Sequence, residues 1–279
     1  MKHAVAGHTE WCYFAEVDHV PIPGEIVDAH NGWEGPAGGG AVAAVQIAKL
    51  AGGCLFFTAL GDDEYGHRTK SGLEDMGVTV HAAWRNSPHR RAFVHLDASG
   101  ERTITTVGER LGPRGADPLP WMELAGTTAV YVTAGDAEAA RAARAADKLV
   151  ATVRARGAFA DSGVRVDLLV ASAADQGERY ASGDFEPAPA AVVRTAGSKG
   201  GFLERGDEKT EWATIQFPDP QVDAYGAGDS FAGGLTYALG AGQPLEQAIE
   251  VGSRCGAANV TGRGPYDGQL TRSALIEDL

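Results

Sequence analysis

The chain has 279 residues, enough for one large α/β domain with a sizeable buried core or for two smaller ones. Its apolar content is ordinary for a globular protein, and its 38 glycines point to tight turns and close approaches of backbone to ligand. A net charge of −13 argues against nucleic acid and anionic membrane as partners, although a local nest of backbone amides can hold an anion even on an acidic protein.

The first residues lack the apolar run of a signal peptide and no segment approaches a membrane span, so a cytoplasmic protein is expected. Cys12, Cys54 and Cys255 are widely spaced, without a C-x-x-C pair, and read as reduced structural thiols. In chain order, Ala4–Ala6 predicts a buried strand, and residues 11–35 carry turns and alternation without a helix. Val42–Leu50 then predicts a helix, Cys54–Ala59 a strand and Arg68–Met76 a helix. Residues 83–107 alternate polar with apolar, and a turn at Ala98–Gly100 marks a hairpin. Ala129–Thr133 predicts a strand, Ala137–Arg154 a helix, and Val166–Val170 and Ala190–Thr195 two further strands, with a Pro/Ala loop at 186–191. Ser230–Leu239 predicts a helix with Phe231, Leu235 and Leu239 on one face. Such alternation predicts an α/β fold: a largely parallel central sheet flanked by helices, one domain over 1–279, with a small β lid from 11–35 and 83–107. Ligands of parallel sheets bind beyond the carboxyl ends of the strands.

The segment richest in chemistry is Asp223-Ala224-Tyr225-Gly226-Ala227-Gly228-Asp229-Ser230. A Gly-Ala-Gly turn running into a helix lets backbone N–H groups converge, and the helix N-terminus adds partial positive charge. Gly226, Ala227 and Gly228 would form an anion hole for a transferring phosphate, and Asp229 beside it would accept a hydroxyl proton. The plainer alternative is that Asp229 only caps its helix.

This segment resembles the C-terminal signature Asp-Thr-x-Gly-Ala-Gly-Asp of the ribokinase (PfkB-type) carbohydrate kinase family. The likeness continues in order along the chain through Pro21-x-Pro23-Gly24-Glu25, Gly61-Asp62-Asp63-Glu64-Tyr65-Gly66, Gly100-Glu101-Arg102 and Thr195-Ala196-Gly197-Ser198-Lys199-Gly200. It implies a ribokinase-like fold and ATP-dependent phosphorylation of a hydroxyl on a small sugar or nucleoside. Asp229 would be the base, Mg²⁺ would be required, and lid-to-lid homodimers occur in some relatives. Thr195, Gly197, Lys199 and Gly200 would lie along the ATP, with Asn259 in the helix bordering the adenine. Backbone near Asp223, Tyr225, Asn259, Gly262 and Gly264 matches a loop pair that binds a monovalent cation such as K⁺ in several relatives, although Ala224 stands where Thr is usual.

The acceptor-contacting positions depart more. Where relatives carry Asn-x-Asp, this chain has Glu10-Trp11-Cys12, and within Gly38-Gly39-Gly40-Ala41-Val42 the valine replaces an Asn. Glu10, Cys12, Gly38, Gly39 and Asp229 are the expected substrate contacts, with Glu10 a hydroxyl acceptor and Trp11 a stacking surface. The family's Asn-x-x-Glu appears as Ser172-Ala173-Ala174-Asp175, leaving Asp175 to act on Mg²⁺ through water. These changes leave a degenerate sugar- or nucleotide-binding protein as the alternative to a kinase. A dinucleotide-binding loop is set aside, because the Gly32–Ala37 segment ahead of the glycines does not read as a strand; a P-loop motif is absent.

Overall fold

The computed structural model describes residues 1–215 and 220–277. Thirteen strands are described: β1 His3–Ala6, β2 Glu10–Glu16, β3 Asn31–Ala37, β4 Cys54–Gly61, β5 Val78–Arg85, β6 Arg91–Leu96, β7 Arg102–Val107, β8 Ala129–Val132, β9 Leu149–Thr152, β10 Leu168–Ser172, β11 Val192–Thr195, β12 Gly201–Arg205 and β13 Glu208–Trp212. The helices are α1 Gly39–Ala51, α2 Glu64–Asp75, α3 Ala137–Ala143, α4 Arg156–Phe159, α5 Ala227–Gly240, α6 Leu245–Asn259 and α7 Arg272–Glu277.

Nine strands form one sheet in the order β13-β12-β11-β10-β9-β8-β1-β4-β5, parallel from β11 to β5 and closed at one edge by the antiparallel β12–β13 hairpin. Its strands are buried on both faces, so successive side chains enter two different cores. Val5, Phe56, Tyr131, Val150, Val170 and Val193 pack with α1 and α5, while Ala4, Phe57, Val130, Leu149 and Leu169 pack with Ala140, Ala143 and Phe159 on the other side.

That double burial explains one correction. The expected helix over Ala137–Arg154 ends at Ala143, and Leu149–Thr152 is instead β9, lying between β8 and β10. An alanine-rich turn hides the break, and a strand buried on both faces shows no period of two to reveal it. Ala83, Trp84 and Arg85, at the start of the second non-helical stretch, likewise belong to the central sheet through β5.

The second sheet has the order β3-β2-β6-β7. Cys12, Phe14, Ala92, Val94 and Leu96 form its inner face and pack on Val42 and Tyr225. Tyr13 and Phe93 stack on the outer face at 5.2 Å. Its free edge, β7, is exposed at every residue. The Gly32–Ala37 segment is a strand after all, held by Trp33 stacking on Phe14 at 5.0 Å, with Pro36 tolerated because β3 is an edge. It pairs antiparallel with β2 in this small sheet and feeds no parallel βαβ unit, so the dinucleotide fold stays excluded on topology.

Candidate active site

The residues just past β1 and β8 meet the start of α1, and charges from just past β9 and from the segment after β10 reach Asp229 at the start of α5. Gly226 takes φ 81°, a left-handed conformation that glycine adopts freely, and turns the chain into α5. Ser230 N–H donates to the Gly226 carbonyl at 2.8 Å as the first bond of the helix. The N–H groups of Ala227, Gly228 and Asp229 ahead of it therefore have no intrahelical acceptor. A side chain at Gly228 would meet nothing within 4 Å, so these amides border open space. The start of α1 closes on the same point: a Cβ at Gly39 would lie 2.8 Å from Asp229 Oδ1.

Asp229 is half-buried, and desolvation is the main force that pushes its carboxyl from the ordinary 3.8 to about 7. The charge of Glu178 adds to the rise, while Arg102, Arg154 and Arg110 pull against it. A carboxylate poised near neutrality, beside open amides, can take a proton from a hydroxyl and leave the amides to hold an oxyanion.

Three arginines frame the site. Arg90 Nε binds Glu10 Oε2 at 2.9 Å, and Arg154 holds Asp175 at 2.5 Å and Glu178 at 2.7 Å. Arg110 donates through Nη2 to His8 Nδ1 at 2.9 Å and to the Thr133 carbonyl at 3.1 Å. Burial, then the charges of Arg110, Arg90 and Arg154, hold the His8 pKa well below its usual value, so this imidazole is neutral and offers a lone pair. Sequence reasoning missed Glu178, Arg110, Arg154 and His8. Only the position of each just past an apolar run could have signalled them, and for Arg154 that run was read as helix.

The expected contacts meet different fates. Gly39 and Asp229 touch as described, and Gly38, at φ 91°, caps α1 against Glu10. Glu10 gives Oε2 to Arg90, leaving Oε1 without a protein donor among the described residues. Cys12 is wholly buried, its thiol 3.5 Å from the Tyr225 hydroxyl, and so faces the lid core instead of a ligand. Trp11 is buried too, donating to Glu34 and lying under Arg68 at 4.2 Å.

Thr195, Gly197, Lys199 and Gly200 form the turn from β11 to β12, with Lys199 exposed and Thr195 Oγ1 donating to the Ala171 carbonyl. Gly200, at φ 81°, has its missing Cβ position 2.0 Å from the Trp212 carbonyl, so only glycine fits. Asn259 is fully buried, and its Nδ2 donates to the Pro265 carbonyl; it organises the 260–265 loop and presents no open face to a nucleotide. Asp175 has both oxygens engaged, by Arg154 and by Gly177 N–H.

Asp223 clamps two loops: Oδ1 accepts from Tyr225 N–H at 2.7 Å and Oδ2 from Gly264 N–H at 2.9 Å. Gly262 N–H closes the same loop on the Asn259 carbonyl, and Asn259 Oδ1 is a buried oxygen without a partner. Among the described residues no group of three or more His, Cys, Asp or Glu could hold a metal ion, and no helix is long and apolar enough to cross a membrane.

A model described as pfkB family carbohydrate kinase matches residues 2–166 and 167–272. The chain is 25% identical to a ribokinase of Arabidopsis thaliana, over 99% of this chain and 80% of the relative. It is 27% identical to a fructokinase of Salmonella typhimurium, over 85% and 91% respectively. The structure of Arabidopsis thaliana ribokinase complexed with ribose and ATP superposes with a TM-score of 0.78 at 21% identity, covering 99% of this chain and 97% of that one.

Proposed function

The chain belongs to the pfkB family of carbohydrate kinases, phosphotransferases that act on hydroxyl groups, and from that premise we propose that it moves the γ-phosphate of ATP to a sugar or nucleoside hydroxyl with Asp229 as the base. The observation that carries the reading is the pairing of an Asp229 carboxyl held near neutrality with the unsatisfied amides of Ala227 and Gly228, bordering open space. The acceptor hydroxyl gives its proton to Asp229 as its oxygen bonds to the γ-phosphorus, and the bond from that phosphorus to the bridging oxygen of ADP breaks. The amides hold the charge on the transferring group, and Arg102, reaching over from β7, adds to that field.

Mg²⁺ carried by ATP would neutralise the phosphates and orient them. The carboxylates of this chain fit only contact through water, because Asp175 and Glu178 are both bound to Arg154. Of the two, Glu178 is the one whose charge reaches Asp229. The β11–β12 turn at Gly197–Gly200 would receive the nucleotide, with Lys199 free to approach its phosphates. A monovalent cation such as K⁺ would be held by backbone carbonyls near Asp223, Tyr225, Gly262 and Gly264, with the partnerless Asn259 Oδ1 a side-chain oxygen on offer in these loops. The four-stranded sheet would act as the lid of a single domain. The three cysteines are free and buried, which suits a reducing, cytoplasmic setting.

Release of ADP across a panel of sugars, sugar derivatives and nucleosides tests the activity. At least one acceptor should raise turnover well above the ATP-only background, and chelation of Mg²⁺ should abolish it. Tight acceptor binding with no ADP release from any compound would favour a binding protein and contradict the kinase.

A further inference from the structure

The kinase reading above leaves open what kind of acceptor the site takes, and a cavity lined by Arg110 and Arg154, whose charges reach Asp229, bears on it. The cavity holds about 500 Å³ and is walled by segments 85–87, 109–114, 134–136, 154–155 and 157–158. Its charged lining is Arg85, Arg110, Arg114 and Arg154 against Glu109 and Asp136, a cationic surface on a chain of net charge −13.

Several of these charges are answered within the protein. Arg85 makes a two-pronged pair with Asp117 at 2.7 Å, and Arg154 holds Asp175 and Glu178. Asp136 accepts from the N–H groups of Gly115 and Ala139. Arg110 has no direct ion-pair partner. Its two acceptors, His8 Nδ1 and the Thr133 carbonyl, are neutral, its Nε is buried without a partner, and no carboxylate among the described residues lies within ion-pairing distance. Arg90 and Arg154 press further positive charge on it, and the charges of Glu10 and Asp229 offset this only from beyond ion-pairing distance. A desolvated guanidinium without a direct ion-pair partner is costly, and an anion entering the cavity would reduce that cost.

The surface for a neutral sugar is correspondingly poor. The positions where relatives place Asn-x-Asp and a helix-opening Asn are here Glu10, already bound by Arg90, and Cys12 and Val42, sealed in the apolar core beneath the lid. The ADP part of the nucleotide does not account for Arg110 either. The Gly197–Gly200 turn follows β11, whereas Arg110 lies against His8 after β1 and Thr133 after β8, four and three strands away respectively. At ~4.8 Å per strand the separation is roughly 14–19 Å.

We propose that the acceptor carries an oxyanion, a phosphate monoester or a carboxylate, and that Arg110 binds it in this cavity, flanked by Arg114 and Arg154. Calorimetry on the full chain tests this with matched pairs: fructose against its 1- and 6-phosphates, and glucose against gluconate, with ADP titrated in parallel. At least one anionic member should bind about ten-fold or more tighter than its neutral parent, and which arm responds identifies phosphate or carboxylate. That preference should shrink as salt rises. It should fall about ten- to hundred-fold in Arg110→Gln, with ADP affinity kept, and be partly retained in Arg110→Lys.

Equal or tighter binding of the neutral parents, no binding of any anionic member, or loss of ADP affinity in place of acceptor preference would overturn the proposal. If Arg110→Gln does not fold, the wild-type preference and its salt dependence decide the matter. Binding is read without turnover, so the outcome is separate from the kinase reading. ADP release with neutral acceptors alone would sink the anionic acceptor and leave the kinase intact.

Discussion

Around Asp229, burial and charge act in opposite directions, and burial wins. Its pKa is raised from 3.8 to about 7, so the folded state binds more protons than the unfolded state between those values. Stability should therefore fall as pH rises from about 4 to about 7, and an uncharged Asn should escape that loss. Thermal melts of Asp229→Asn against wild type should coincide near pH 4 and separate by pH 8 in favour of the variant. The gap should be on the order of 2–4 kcal/mol, allowing for partial exposure. The same titration should give kcat/KM an acidic limb near pH 7, because only the ionised carboxylate accepts a proton. Glu178→Gln removes the negative charge that helps raise this pKa and frees Arg154 to lower it, so the limb should move to lower pH. A limb that stays in place or moves up would show that Glu178 does not act on Asp229. At this scale the sequence was informative where backbone geometry sets the chemistry, as at Gly226 and Gly228. It was silent where long side chains converge: Arg110 and Glu178 are ordinary surface letters until folding brings them to one point.

Among the elements, the turn into α5 gives the sharpest test. Gly228 has helical geometry and empty space where a Cβ would go, so the protein itself has no steric need for glycine there. Gly228→Ala should leave the fold intact or raise stability by up to about 1 kcal/mol. Its methyl group would occupy the space the amides face, and turnover should drop at least about ten-fold with the melting temperature unchanged or higher. Normal turnover in that variant would mean that the phosphate does not approach this turn. Most strands and helices were legible from apolar runs and helical periodicity. β9 was not, because Leu149-Val150-Ala151-Thr152 follows an alanine-rich stretch and is buried on both faces, which erases the alternation that marks a half-buried strand. β3 was discounted for its Gly and Pro residues, which an edge strand tolerates.

For the whole molecule, the four-stranded sheet leaves β7 with an open edge and exposes Phe93, Ile104 and Val107. Such an edge invites pairing with another strand, and we expect two copies to meet lid to lid. Light scattering at micromolar concentration should give a dimer mass, and a charged residue in place of Ile104 should return the monomer. A monomer across that range would remove this arrangement and leave the site within one chain. The central claim is phosphotransfer with Asp229 as the base, and one comparison tests it most directly: turnover of wild type and Asp229→Asn on the best acceptor, with ATP affinity measured alongside. The account predicts a loss of about a hundred- to ten-thousand-fold in turnover, with ATP affinity within a few-fold, since the nucleotide is held by backbone and phosphate contacts. Turnover near the wild-type rate in that variant would contradict it.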